Sequence, residues 1–178
     1  MASSSKLPPI GDVPPLTTEE RARILDLLFE PSTQLHTLSV PLLHEKTFSS
    51  YNDLIAAVGA QLTDLSGSAS TSDTAWLLDI LGSHPRLGAK NVESVQSQAE
   101  QAQLQGSGEE AGQLKVLNDE YENKFSGLRY VVFVNGRSRP TIMEDMKRRI
   151  ADSDTKNEQT GAIRAMCEIA ADRASKLL

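Results

Sequence analysis

The sequence predicts a single-domain, all-α bundle of at least six helices, and three observations carry that prediction. Apolar residues recur at three- and four-residue steps in one segment after another, the spacing that stacks side chains on one helix face. The connectors between these segments are short and rich in Gly, Pro and Ser. Only residues 130–134, YVVFV, have the composition of a strand, and they have no second run to pair with, so an extended or helix-terminal segment is expected there. At 178 residues the chain suits one domain that buries roughly 70% of its unfolded surface.

Taken in order, residues 1–16 (MASSSKLPPIGDVPPL) read as a flexible N-terminal arm, because proline removes donors and blocks regular pairing; residues 17–178 then form the helical domain. Thr17 and Glu20 have capping-box spacing, Ile24, Leu25, Leu27 and Leu28 give the first helix its apolar face, and Pro31 ends it. Residues 32–46 contain Pro41 and predict short helical turns and loop. A second strong helix covers about 49–65, with Tyr51, Leu54, Ile55, Val58, Leu62 and Leu65 in helical register. GSASTS at 67–72 is a flexible connector, after which Asp73 caps a short helix carrying Trp76, Leu77, Ile80 and Leu81, closed by Gly82. Ser94 caps a polar helix to about Gln105, stopped by Gly106-Ser107-Gly108. The helix near 109–125 sets Leu114, Leu117, Tyr121 and Phe125 against an acidic outer side. Pro140 opens a helix with Ile142, Met143, Met146 and Ile150 inward. The last helix, about 157–176, gathers Ile163, Met166, Cys167, Ala170 and Ala174 on one face.

Composition narrows the functional classes. The formal net charge is −6 and there are only eight aromatic residues, against the basic surface and stacking platforms of a nucleic-acid binder. No stretch approaches the roughly 20 apolar residues of a membrane span, and no positively flanked apolar leader opens the sequence. One cysteine, Cys167, leaves no internal disulfide or thiolate cluster, and His36, His44 and His84 have no metal-ligand spacing. The expectation is a chain without metal or organic cofactor. It is placed in the cytoplasm, with the peroxisome as alternative: Ser175-Lys176-Leu177 spells the peroxisomal tripeptide but is followed by Leu178.

His84-Pro85-Arg86-Leu87-Gly88 is the most informative string. Proline holds the preceding residue in an extended backbone, so His84 is excluded from the helix before it, and Gly88 permits a tight return. Such a histidine either faces a cavity as a proton-exchanging group or caps the carbonyls at the end of that helix. Ser97 and Glu100 share a face of the next helix, but by pattern Glu100 reads as a solvated carboxylate. Arg173, at the edge of the last helix's apolar stripe, serves either the helix dipole or a pocket in which its planar fork holds a carbonyl or carboxylate. The acidic stretch 109–122 and the basic stretch 124–149 read as two solvated faces.

HPRLG at 84–88, S-x-x-E-Q at 97–101, L-N-x-x-Y-x-x-K-F at 117–125 and an arginine near the C-terminus, in that order, resemble the 2-oxo-4-hydroxy-4-carboxy-5-ureidoimidazoline (OHCU) decarboxylase family. The similarity covers about residues 20–175, and FEPSTQLHTLSVP at 29–41 resembles the fungal branch. Members take the third step from urate to (S)-allantoin. The resemblance implies an all-α fold, a homodimer, a small-molecule substrate and no cofactor. It implies that His84, Glu100 and Arg173 are the catalytic and substrate-binding trio, with Arg149 as the alternative pocket arginine. It further implies that Pro85 and Ser97 shape the pocket and that substrate-binding contacts come from the stretch of Leu128, Tyr130 and Val131. A non-catalytic helical interaction module is the competing reading from the residues themselves.

Overall fold

The computed structural model describes residues 6–89, 92–102, 104 and 108–178. Among them the chain forms eight α-helices and no strand. Helix α1 (Thr18–Phe29) opens on the expected capping box: the Thr17 hydroxyl accepts from the Glu20 amide at 3.2 Å, and the Glu20 carboxylate accepts from the Thr17 amide at 2.8 Å. Helix α2 (Thr33–Glu45) is continuous where short turns were expected, with Pro41 inside it. Leu35 and Leu43, both fully buried, anchor it on either side of the proline, and that burial outweighs one missing backbone donor.

Helix α3 (Tyr51–Gly67) is capped by the Ser50 hydroxyl, which accepts from the Asp53 amide at 3.1 Å. Helix α4 (Thr71–Leu81) starts two residues before Asp73, so Asp73 lies in the first turn and Ser70 holds the cap position. Helix α5 (Val95–Ala102) has its expected cap, the Ser94 hydroxyl accepting from the Ser97 amide at 3.0 Å. Its expected extension to Gln105 and the stop at Gly106-Ser107 fall outside the described residues. Helices α6 (Gly108–Lys124), α7 (Arg139–Asp152) and α8 (Thr155–Leu177) follow; Ser138 and Asp154 cap the last two. Residues 128–134 link α6 and α7 without regular secondary structure or strand pairing among the described residues. No helix of the described residues is long and apolar enough to cross a membrane.

Helix α8 is the central post. It packs on α1 and α3, while α2 and α4 complete that layer and α6 pairs with α7. Leu25, Leu28, Leu54, Val58, Leu62, Leu77, Ile80, Met166 and Ala170 are fully enclosed. Where α3 meets α8, a Cβ on Gly59 would stand 2.8 Å from the Cys167 sulfur, so the glycine is what lets the two helices approach so closely. Burial pushes the Cys167 thiol up, as befits a core side chain.

From Leu7 onward the N-terminal segment is docked, contrary to the flexible arm expected over 1–16. The Leu7 amide donates to the Leu177 carbonyl at 2.8 Å, the Tyr51 hydroxyl donates to the Pro8 carbonyl at 2.8 Å, and Leu7 and Val13 are buried. The Arg21 guanidinium ties down the Pro14 and Leu16 carbonyls. The prolines preset the backbone, and the apolar residues between them supply the burial that a polar arm would lack.

Candidate active site

The HPRLG turn is held from three sides. Gln101 of α5 spans it with its amide, accepting from the Gly88 N–H at 2.7 Å and donating to the Arg86 carbonyl at 2.8 Å. Asn118 of α6 donates to the Leu87 carbonyl at 3.0 Å. Arg86 reaches Glu122 and Asp119 on α6 at 2.7 and 2.5 Å. Gly88 has φ +81°, and a Cβ there would meet a Leu114 methyl carbon at 2.7 Å, so both backbone conformation and space require glycine.

This clamp presents His84 inward. Its side chain is buried, with the residue only 4% exposed. Nε2 of the ring is enclosed with no hydrogen-bond partner among the described residues. Nε2 is thus a ring nitrogen that no protein group among the described residues uses, left to a ligand. Burial, and then the nearby Arg173 cation, lower the imidazole to about 4, which outweighs the opposing pull of Glu30; the ring is therefore neutral at physiological pH. Capping of α4, the alternative reading of His84, is done by other groups: the Ser83 hydroxyl donates to the Ile80 carbonyl at 2.6 Å and Arg129 donates to the Gly82 carbonyl at 3.1 Å.

Arg173, 2% exposed, is the charged center of the site. Its Nε and Nη2 grip the Glu100 carboxylate at 2.8 and 3.0 Å, the side-by-side geometry that makes such pairs strong. Nη2 also donates to Glu30 at 2.9 Å and to the Ser97 hydroxyl at 3.1 Å. Burial alone would lower the guanidinium, but Glu100 and Glu30 outweigh it and hold the group firmly cationic. Nη1 remains buried and without a partner among the described residues. Glu30 accepts from Ser94 at 2.8 Å and from Ser97; burial raises its carboxyl, yet Ser97, Arg173 and Ser94 together bring it below the usual range.

A cavity of about 50 Å³ collects these groups; His84, Pro85, Ser97, Glu100, Gln101, Leu104, Tyr130, Val131 and Ile169 are among its walls. A second hollow of about 110 Å³ shares Glu100, Val132, Val134 and Ile169 with it and opens toward Asn135, Asp172 and Lys176. Six of the residues expected from sequence therefore meet at one place: His84, Pro85, Ser97, Glu100, Tyr130 and Val131. Arg173 stands behind Ser97 and Glu100, bonded to both. Leu128 is buried but is not among the lining residues.

Arg149, the alternative pocket arginine, belongs to a different network. It contacts Asp145 at 3.0 Å and Glu158 at 3.6 Å and lies 4.9 Å over the Tyr130 ring. Tyr130 and Tyr121 donate to the same two acids, at 2.5 and 2.8 Å. This network fixes the outer side of the 128–134 segment while its other side walls the cavity. The basic and acidic stretches are thus partly spent on defined pairs, including Arg129 with Glu122 at 3.9 Å, where the sequence pattern predicted two solvated faces. Sequence reasoning missed Glu30, Arg129 and Arg86. None sits in a pattern that marks it, apart from the position of Arg86 within the HPRLG string.

The OHCU decarboxylase family model matches residues 14–175 of the chain. No curated protein matches it. Among solved structures, the crystal structure of an (S)-allantoin synthase superimposes with a TM-score of 0.64 at 18% identity, covering 95% of this chain and 54% of that one. The chain thus spans about half the length of that relative, and the likeness is one of fold.

Proposed function

Because the chain belongs to the OHCU decarboxylase family, we propose that it converts 2-oxo-4-hydroxy-4-carboxy-5-ureidoimidazoline to (S)-allantoin. One observation carries this reading: His84, whose Nε2 is buried without a partner among the described residues, lines the cavity beside Ser97 and Glu100, and Arg173, bonded to both of these, keeps a buried Nη1 likewise without a partner. Unsatisfied buried polar atoms are costly and are retained where a ligand completes them.

The substrate supplies its own electron sink. Its carboxylate sits on a ring carbon that also bears a hydroxyl, beside a C=N bond. When the carbon–carboxylate bond breaks, carbon dioxide leaves and the electron pair forms a ring C=C, while the imine pair moves onto nitrogen and takes a proton. The hydroxyl proton then departs, a carbonyl forms, and the neighboring carbon takes a proton on one face only. The protein's tasks are orientation and proton traffic. Neutral His84 accepts the hydroxyl proton at Nε2 and returns a proton to the ring carbon. Arg173 holds the carboxylate or a ring carbonyl through Nη1. Glu100 retains lone pairs beyond those given to Arg173 and accepts from ring or ureido N–H groups. Pro85 and the Tyr130–Val131 stretch wall the ring and limit proton delivery to one face.

The test is to generate the unstable substrate in situ and follow the circular dichroism of the product. Formation of (S)-allantoin faster with protein than without supports the reading; an unchanged rate and a racemic product overturn it and favor the helical interaction module. The homodimer implied by the resemblance is part of the same proposal and is read from sedimentation velocity.

A further inference from the structure

Glu30 ends α1 with φ +78° and ψ 149°, a combination that essentially only glycine adopts without strain. A helix that merely had to stop there would be better served by glycine. The strained residue is instead an acid, 4% exposed, whose Oε1 accepts from Ser94, Ser97 and Arg173. Arg173 does not need it for charge balance, since Glu100 already holds two of its nitrogens. What Glu30 adds is direction. With Nε taken by Glu100 and Nη2 shared among Glu100, Glu30 and Ser97, the guanidinium plane is fixed and only Nη1 is left over. Its charge also bears on the buried His84 ring, which it favors in the protonated form. The strained acid therefore touches the guanidinium directly and reaches the imidazole through its charge.

We propose that Glu30 is the positioning device of the site: its carboxylate aims Arg173 and sets the charge that His84 faces. Glu30 acts through these two side chains and is a positioning residue. The inference rests on the decarboxylase reading, and its test separates the two.

Glu30→Gln keeps the shape and removes the charge. In the allantoin assay it is expected to lose on the order of 100-fold in kcat/KM, the scale of a small misplacement of reacting groups. The acid limb of its pH profile is expected to move to lower pH. Of the charges facing His84, Arg173 and Arg129 disfavor the imidazolium and remain, whereas the carboxylate that favored it is gone. A residue needed only for folding would leave that limb in place. Glu30→Gly gives the backbone its preferred residue without a carboxylate and is expected to be folded and as impaired as Glu30→Gln. A proton NMR titration of His84, assigned with His84→Asn, reads the same shift without any turnover. If the unaltered chain is inactive but Glu30→Gln lowers the His84 midpoint, the decarboxylase reading falls and the role of Glu30 stands. A Glu30→Gln variant within threefold of the unaltered chain with an unmoved midpoint overturns the inference. So does a fully active Glu30→Gly, or failure of both variants to fold.

Discussion

The Arg129 guanidinium donates through Nη1 to the backbone carbonyl of His84 at 2.8 Å, and to that of Gly82 at 3.1 Å. A residue from the segment after α6 thereby closes the end of α4, two residues upstream of the imidazole. That frees the His84 ring from capping and leaves it on the wall of the cavity. It also sets a second cation near the ring, which adds to the pull of Arg173 against protonation.

Arg129→Ala removes two partly exposed, charge-assisted hydrogen bonds and a long contact to Glu122. A loss of about 1–2 kcal/mol in urea unfolding is expected. Because the backbone that carries His84 loosens, kcat/KM is expected to drop by about tenfold, and the His84 midpoint to rise as one repelling charge is removed. Unchanged kinetics would show that the turn is held well enough by Gln101, Asn118 and Arg86 alone.

The pH dependence follows from the depressed His84. The folded chain protonates this ring near 4, the unfolded chain near its ordinary 6.5, so between those values the unfolded state binds more protons. The stability that comes from keeping the ring neutral is fully present above 6.5 and is lost as the pH falls through about 4. Glu30, also depressed, adds a loss at the acid end of the same range. Urea midpoints measured at several pH values should fall across this window in the unaltered chain and fall less in His84→Asn. Activity that requires a neutral imidazole should hold from neutrality down to about 5 and then decline.

The parts of the site legible in sequence are those with local physical marks. Pro85 and Gly88 constrain the backbone wherever they stand, so the HPRLG turn could be located and His84 placed outside a helix. The capping box at Thr17, the serine cap at Ser94 and Pro140 at the start of α7 are likewise local. Glu100 reads as solvated because its helix is polar, and only the approach of α8 turns it into the partner of Arg173. Glu30 gives no physical signal of its own, although it falls in the FEPSTQLHTLSVP string: an acid before a proline at a helix end is unremarkable until its backbone conformation and three donors are seen. Pro41 misleads in the opposite sense, since its cost is local and the burial that overrides it is tertiary. The docked residues 7–16 teach the same lesson, because proline content does not tell whether apolar neighbors have a surface to meet.

Arg149 and Arg173 make a direct contrast. Arg149→Met leaves Glu158 without a cation and Asp145 with Arg148 alone, and about 1–3 kcal/mol of stability should be lost, with kcat/KM within a fewfold of the unaltered chain. Arg173→Met should lose activity by at least 1,000-fold, on the scale of removing a preorganized charge at the reacting group. The reverse ranking would move the substrate to the Tyr130–Asp145 side of the segment.

His84→Asn in the circular dichroism assay bears most directly on the claim that one buried imidazole runs the proton traffic. The unaltered chain should yield (S)-allantoin, and a folded His84→Asn chain only racemic product at the spontaneous rate. Formation of (S)-allantoin by the folded variant at near the unaltered rate would contradict the account.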